Sequence, residues 1–291
     1  MFGRSHFLPI VISVVLCLVL VLTFVIGKNT KSTPDEGVLE VHFVDVGQGD
    51  GIVIRTADTV VVIDAGPQSD EFGFSAYLKR NGIEKIDLFV ITHPHSDHTG
   101  GAVRILSSFE VGTVLFPKCD GEGTAYLRIS ELAQEKGIPA EQFDIAEKYL
   151  FGDLSMTPLA PLGDGYDGYN DYSTVIRLDF KSLSFMLSGD AEKTSEDEML
   201  KSTPAELLDC DVLKVGHHGS DTSSSNEFLS AVTPEYAVIS CGSGNEFGHP
   251  KKDILSRLYS FCTADNVYRT DLCGSVVFIY DGEELNIRTD R

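Results

Sequence analysis

Ile86-Asp87-Leu88-Phe89-Val90-Ile91-Thr92-His93-Pro94-His95-Ser96-Asp97-His98-Thr99-Gly100-Gly101 runs from an apolar segment straight into a His-x-His-x-Asp-His cluster. An apolar run of strand length, closed by turn residues, reads as a buried β-strand. Four potential metal ligands, His93, His95, Asp97 and His98, stand within six residues of its exit. A lone histidine beside a strand is ordinarily a hydrogen-bonded core or surface residue. Imidazoles and a carboxylate converging from one short loop are instead the donor set of zinc and related divalent ions. Gly100-Gly101 then lets the backbone turn tightly into a helix expected over 102–109. The stretch is read as half of a two-metal hydrolytic centre.

Two more strand exits carry similar residues. Asp190 closes Ser184-Phe185-Met186-Leu187-Ser188-Gly189, where a carboxylate can bridge two cations and the glycine leaves room. Its competing reading is a cap for a helix beginning at Ala191. In Leu213-Lys214-Val215-Gly216-His217-His218-Gly219-Ser220 an apolar strand again ends in a tight turn bearing histidines. His218 is the expected ligand there, and His217 the proton donor or substrate contact. His249 precedes a helix expected to start with Pro250 at its first position, and is either a second proton donor or a helix-start residue without chemistry. Asp64, Asp45, Gln48 and Asp50 also occupy strand-end turns, where most such residues only satisfy backbone donors. Asp64 is the one placed to orient a ligand imidazole. His42, inside the first strand, is read as structural.

Strands are expected at 38–44, 51–55 and 60–63, an antiparallel meander, followed by strands at 86–91 and 113–116 alternating with helices at 74–80, 102–109 and 125–136. The second half repeats the scheme. Its strands fall at 155–159, 173–180, 184–187, 212–215, 237–240, 267–268, 275–280 and 285–288, and its helices near 192–200, 225–231 and 251–259. A meander followed by alternation, given twice, implies two sheets face to face with helices outside: a four-layer αββα sandwich with the metal cluster along one edge.

Residues 8–26 form a run of 19 without a charge, which at ~1.5 Å per residue reaches ~28 Å, about one bilayer core. A six-residue tail, a transmembrane anchor over 7–27, a tether over 28–37 and one hydrolase domain over 38–291 follow from that reading. A cleaved signal peptide is the rival, but the apolar core is longer than usual and no Ala-x-Ala site follows. The expected disposition is a single-pass membrane protein with its domain outside the cell, or a secreted one if the N-terminus is cleaved. Cys119, Cys210, Cys241, Cys262 and Cys273 are odd in number and irregularly spaced, so no disulfide framework is implied, although an exported domain leaves a pair such as Cys262 with Cys273 open.

Of 23 basic and 44 acidic side chains, three and two precede residue 37, leaving 20 against 42 and a net charge of −22. Such a surface repels polyanions at long range and excludes strong nonspecific nucleic-acid binding. The Glu192–Glu198 stretch reads as a solvated helix face.

Phe43-Val44-Asp45-Val46-Gly47-Gln48-Gly49-Asp50, Ile63-Asp64-Ala65-Gly66, His93 to Gly101, Ser188-Gly189-Asp190-Ala191-Glu192, Leu213 to Ser220, Gly248-His249-Pro250 and Tyr268-Arg269-Thr270-Asp271 form an ordered series. With it the chain resembles the metallo-β-lactamase superfamily and, within it, the extracellular hydrolase-like domain of the ComEC competence proteins. The resemblance implies two divalent ions, zinc first with manganese or iron as alternatives. One would be held by His93, His95 and Asp190, the other by Asp97, His98, Asp190 and His218, with Asp97, His217 and His249 serving catalysis. It implies hydrolysis of a phosphate ester or diester, small or oligonucleotide. The alternatives are hydrolysis of a lactone, β-lactam or thioester, and a nonenzymatic DNA-uptake module. Two departures stand out. Many superfamily members supply another histidine ligand before the bridging aspartate, whereas this chain has none between His98 and His217, with Asn170-Asp171-Tyr172-Ser173 in about that place. The chain also has one apolar span where the full competence proteins have a multi-helix channel, so translocation of DNA by this polypeptide alone is not expected.

Overall fold

Alternation of apolar side chains sorts the strands into layers. In β1 (Leu39–Phe43), Leu39, Val41 and Phe43 enter one apolar cluster while His42 turns the other way, toward Tyr77. The computed structural model describes residues 33–119 and 124–291. Residues 8–26, the expected anchor, lie outside the described residues, and among the described ones no helix is long and apolar enough to cross a membrane.

After β1 come β2 (Ile52–Arg55), β3 (Val60–Ile63), β4 (Lys85–Val90), β5 (Glu110–Phe116) and β6 (Ala140–Gln142). The second half supplies β7 (Tyr149–Phe151), β8 (Leu154–Ala160), β9 (Val175–Phe180), β10 (Leu183–Leu187), β11 (Val212–Lys214), β12 (Tyr236–Ile239) and β13 (Val267–Arg269). The last two, β14 (Val276–Tyr280) and β15 (Leu285–Thr289), return to the first sheet, whose order is β15-β14-β1-β2-β3-β4-β5-β6. The second sheet runs β13-β12-β11-β10-β9-β8-β7. Each combines an antiparallel meander with parallel strands: β3 to β6 in one, β10 to β13 in the other.

Three apolar clusters make the layers. Leu39, Ile54, Ile63, Ile176, Phe185 and Phe278 pack between the sheets. Val62, Phe89, Phe74 and Leu106 pack outside the first sheet under the helices Glu71–Arg80, Ala102–Ser108 and Thr124–Lys136. Met186, Leu213, Phe228 and Ile254 pack outside the second under the helices Lys193–Ser202, Asn226–Val232 and Lys252–Leu258. The αββα sandwich expected from the sequence is the fold observed. Strands β6 and β7 were not expected: β6 is exposed throughout and β7 has no buried residue, so neither leaves an apolar pattern to read. Pro250 does not open its helix, which begins at Lys252 after Lys251. Cys210, Cys241, Cys262 and Cys273 are free thiols, the first three of them buried, so Cys262 and Cys273 are not paired.

Strands β1, β3, β4, β10, β11 and β12 all deliver their C-terminal ends to one edge of the sandwich. The loops beyond those ends carry the ligand candidates, as expected where open α/β sheets expose a row of carboxyl termini.

Candidate metal centre

The parallel strand β4 ends at Val90, and Thr92 and His93 follow directly. A short helical turn, Ser96–Thr99, then directs Asp97 and His98 back toward the strand ends. From the second sheet, Gly189 at φ +51 turns the chain after β10, and a Cβ there would meet Ser173 and Thr92 at 3.0 to 3.3 Å. The turn delivers Asp190. Beyond β11, His217 and His218 both take left-handed backbone angles, φ +47 and +54. Non-glycine residues rarely adopt these angles, so the surrounding contacts must hold them there.

The imidazoles close on Asp190. His98 Nε2 lies 3.3 Å from Asp190 Oδ1, while His218 Nε2, His93 Nε2 and His217 Nε2 lie 3.4, 3.8 and 3.8 Å from Oδ2. His218 Nε2 is also 3.2 Å from Asp97 Oδ2, and His93 Nε2 is 3.1 Å from His95 Nδ1. Donor atoms of Asp97, His98, Asp190 and His218 lie within 4.8 Å of one another, as do those of His93, His95 and Asp190. These are the two sets expected from the sequence, joined through one carboxylate.

The donor chemistry fits a pair of divalent ions. Asp190 Oδ1 is buried and takes no hydrogen bond among the described residues, which is costly in a protein interior unless a cation faces it. The imidazoles are held from behind. His98 Nδ1 is 2.7 Å from Asp64 Oδ2, and Thr92 fixes that carboxylate, its N–H donating to Oδ1 at 2.8 Å and its hydroxyl to Oδ2 at 2.6 Å. His218 Nδ1 is 2.9 Å from the Ser240 carbonyl oxygen. Such partners fix the tautomer and aim the other nitrogen at a metal. Asp64 thus takes the orienting place expected of it, and its carboxyl is pushed above the usual range by burial, against the pull of His98.

Protonation follows the same geometry. Burial opposes charge on His98 and His218, yet the carboxylates around them together outweigh it, Asp190 with Asp64 raising His98 well above the ordinary imidazole value and Asp190 with Asp97 and Asp50 raising His218 to about 9. Burial also opposes charge on Asp190 and Asp97, and His218 and His98 overcome it, so both carboxyls fall below their usual range. His93 is held well below its ordinary value by burial and then by His98.

His217 is more open, and its Nδ1 lies 2.9 Å from Glu192 Oε1. Glu192 accepts in turn from Asn170 Nδ2 at 3.0 Å and Thr222 Oγ1 at 2.8 Å. His249 stands at the rim, its ring centroid 5.6 Å from that of His217 and its Nδ1 without a hydrogen bond among the described residues; burial and then His217 lower it to about 4. A cavity of ≈ 700 Å³ opens beside His95, lined among others by Tyr166, Tyr169, Asn170, Asp171, Glu192 and Glu198.

Several expectations are corrected here. Asp190 does not cap the helix that follows; Asp171 does, its Oδ1 accepting from the Glu192 and Ser195 N–H groups at 3.1 Å each. The Glu192–Glu198 stretch is a solvated face only in part, at Lys193 and Thr194. Glu192 backs His217, and Glu196 is buried against the Ser224 and Ser225 N–H groups. The turn Asn170–Tyr172 leads to Ser173, whose Oγ accepts from the Asp190 N–H at 3.0 Å. Sequence reasoning missed Glu192 and Asn170. A helix-start Glu and a loop Asn carry no signal until the fold brings them behind His217.

The family described as "Metallo-beta-lactamase superfamily" matches residues 44–243. ComE operon protein 3 of Bacillus subtilis (strain 168) is 29% identical over 259 residues, covering 83% of this chain and 33% of that protein. Recombination protein 2 of Haemophilus influenzae is 30% identical over 257 residues, covering 87% and 30% respectively. The chain therefore spans about a third of the length of these relatives. Among solved structures, CmlA, a diiron beta-hydroxylase from Streptomyces venezuelae, aligns with a TM-score of 0.57 at 18% identity, covering 84% of this chain and 54% of that one, a likeness of fold alone.

Proposed function

We propose that this chain, which belongs to the metallo-β-lactamase superfamily, is a two-metal hydrolase that cleaves a phosphate ester or diester. One observation carries the reading: two convergent sets of His and Asp donors share the carboxylate of Asp190. Bound there, a pair of divalent ions would supply a hydroxide nucleophile near neutral pH and positive charge for the developing oxyanion. Zinc is the first choice and manganese or iron the alternatives, because a mixed N/O site without thiolate discriminates weakly.

His93, His95, Asp97, His98, Asp190 and His218 hold the ions, and Asp64 and the Ser240 carbonyl orient two of the imidazoles. His217, held at Nδ1 by Glu192, presents Nε2 toward the shared carboxylate and protonates the leaving group. His249, lowered by burial, is neutral at working pH and serves as a polar wall to the substrate. The kinship to a recombination protein and a ComE operon protein supports a nucleic-acid-derived diester. The net charge and the carboxylate-lined cavity favour a small or short substrate over long duplex DNA. Residues 8–26 anchor the chain, with the centre outside the cell.

The test offers the purified chain bis-p-nitrophenyl phosphate, short oligonucleotides, nitrocefin and a lactone in parallel, with and without chelator. Expected are turnover of the diester that chelation abolishes, its loss in Asp190→Ala, and, for His217→Ala, a fall of ~10²–10⁴ in kcat on oligonucleotides, whose alkoxide leaving group needs the proton, with little change on bis-p-nitrophenyl phosphate, whose leaving group does not. Turnover of nitrocefin or the lactone alone would make the protein an acyl hydrolase. Bound metal without any turnover would make it a binding module.

A further inference from the structure

Strand β11 alternates as its neighbours do: Val212 faces the other sheet and Leu213 faces the helices. The same parity turns Lys214 into the interior between the sheets, where it is completely buried. Its Nζ lies 2.5 Å from Asp50 Oδ2, donates to the Gly189 carbonyl oxygen at 2.8 Å and stands 3.9 Å from Asp190 Oδ1. Apart from that ion pair, neither Asp50 oxygen takes a hydrogen bond among the described residues, although His218 Nδ1 and His98 Nδ1 lie 3.6 and 3.9 Å away. A desolvated ammonium is costly to bury, and its attraction offsets that cost only where its partners are fixed. Here all three partners belong to loops that build the metal centre.

The geometry assigns a purpose to this arrangement. Gly189 and Asp190 share one peptide unit, and both of its polar ends are clamped: its carbonyl accepts from Lys214 and from the His217 N–H at 3.2 Å, and its N–H donates to Ser173 Oγ at 3.0 Å. With Gly189 in the left-handed region, that plane decides where the Asp190 side chain points. We infer that Lys214 is the positioning residue of the shared carboxylate: its hydrogen bond to the Gly189 carbonyl oxygen fixes the Gly189–Asp190 peptide so that Asp190 can serve both ions at once. The inference rests on the two-metal reading above. Its consequence is coupling: one ion fixes a bridge already aimed at the second.

Native mass spectrometry of the full chain titrated with Zn²⁺ or Mn²⁺ counts the species carrying no, one and two ions. The wild-type protein is expected to pass from empty to doubly loaded with little singly loaded species. Lys214→Met should accumulate the singly loaded species, with half-saturation for the second ion raised at least about tenfold, the scale of losing an outer-sphere partner. Asp50→Asn combined with Lys214→Met removes the stranded carboxylate, so the variant folds even if the single one does not, and it should still accumulate the singly loaded species. A wild-type distribution in either variant overturns the inference, since neutralising Asp50 would then be all that Lys214 does. Val232→Ala, at the buried end of the outer helix Asn226–Val232, lowers stability without touching the centre and should keep the wild-type distribution. A wild-type protein that takes up no metal sinks the two-metal reading itself, and the inference with it.

Discussion

Protons and metal ions compete for the same nitrogens. His98 and His218 face Asp190, and in the metal-free protein that carboxylate holds their protons more tightly than water does. A group whose folded pKa lies above its unfolded value near 6.5 gives its full stabilisation below that value and loses it as pH rises through the folded pKa. For His218 the window runs from about 6.5 to about 9. The Tm of chelator-treated protein is therefore expected to fall across that interval. Metal binding needs the unprotonated imidazole and releases the proton, so affinity should rise over the same range. Calorimetry of the metal-free chain and metal titrations at pH 6, 7.5 and 9 check both signs; a flat Tm with pH-independent affinity would contradict the arrangement. His93, already held neutral by burial, adds nothing to this coupling.

The helix Lys193–Ser202 has no side-chain cap from its own N-cap residue, Glu192, and borrows one from Asp171 in the turn Asn170–Tyr172. That borrowed cap ties three functional pieces together, because the same turn places Asn170 on Glu192 and precedes Ser173 under Asp190. Asp171→Ala should cost ~1 kcal/mol, the usual value of an N-cap, and lower Tm by roughly 2–4 °C for a domain of this size. It should also lower kcat by loosening Glu192 behind His217. Thermal melts and diester kinetics on one preparation separate the two effects, and an unchanged kcat would show that Glu192 keeps its place without the cap. Sequence pattern found this helix to within two residues yet read its first turn as solvated. Acidic residues in a first turn favour the helix dipole wherever they point, so pattern alone could not show that Glu192 and Glu196 turn inward.

Across the molecule, net negative charge surrounds a centre proposed to act on an anion. The long-range field opposes encounter, and salt screens it over ~8–10 Å at 0.1–0.15 M. For an anionic diester, kcat/KM is expected to rise as ionic strength increases from ~10 to ~150 mM, while an uncharged ester shows no such rise. Stopped-flow or initial-rate measurements at constant pH decide it. A fall with salt would reveal a local basic patch strong enough to reverse the net field.

All the strands but β6 and β7, the layer order and the candidate donor clusters were legible in the chain because each leaves a local trace. Alternation marks Leu39, Val41 and Phe43 as one face, and four candidate ligands in six residues mark a strand exit. Asp64 was readable too, through its place at the end of β3. The device at Lys214, the support of His217 by Glu192 and the cap from Asp171 were not. Each joins residues from 21 to 164 positions apart across loops whose conformation no local preference dictates. Buried polar groups must find partners wherever the folded chain brings them, and only the closing of the two sheets on each other selected which ones.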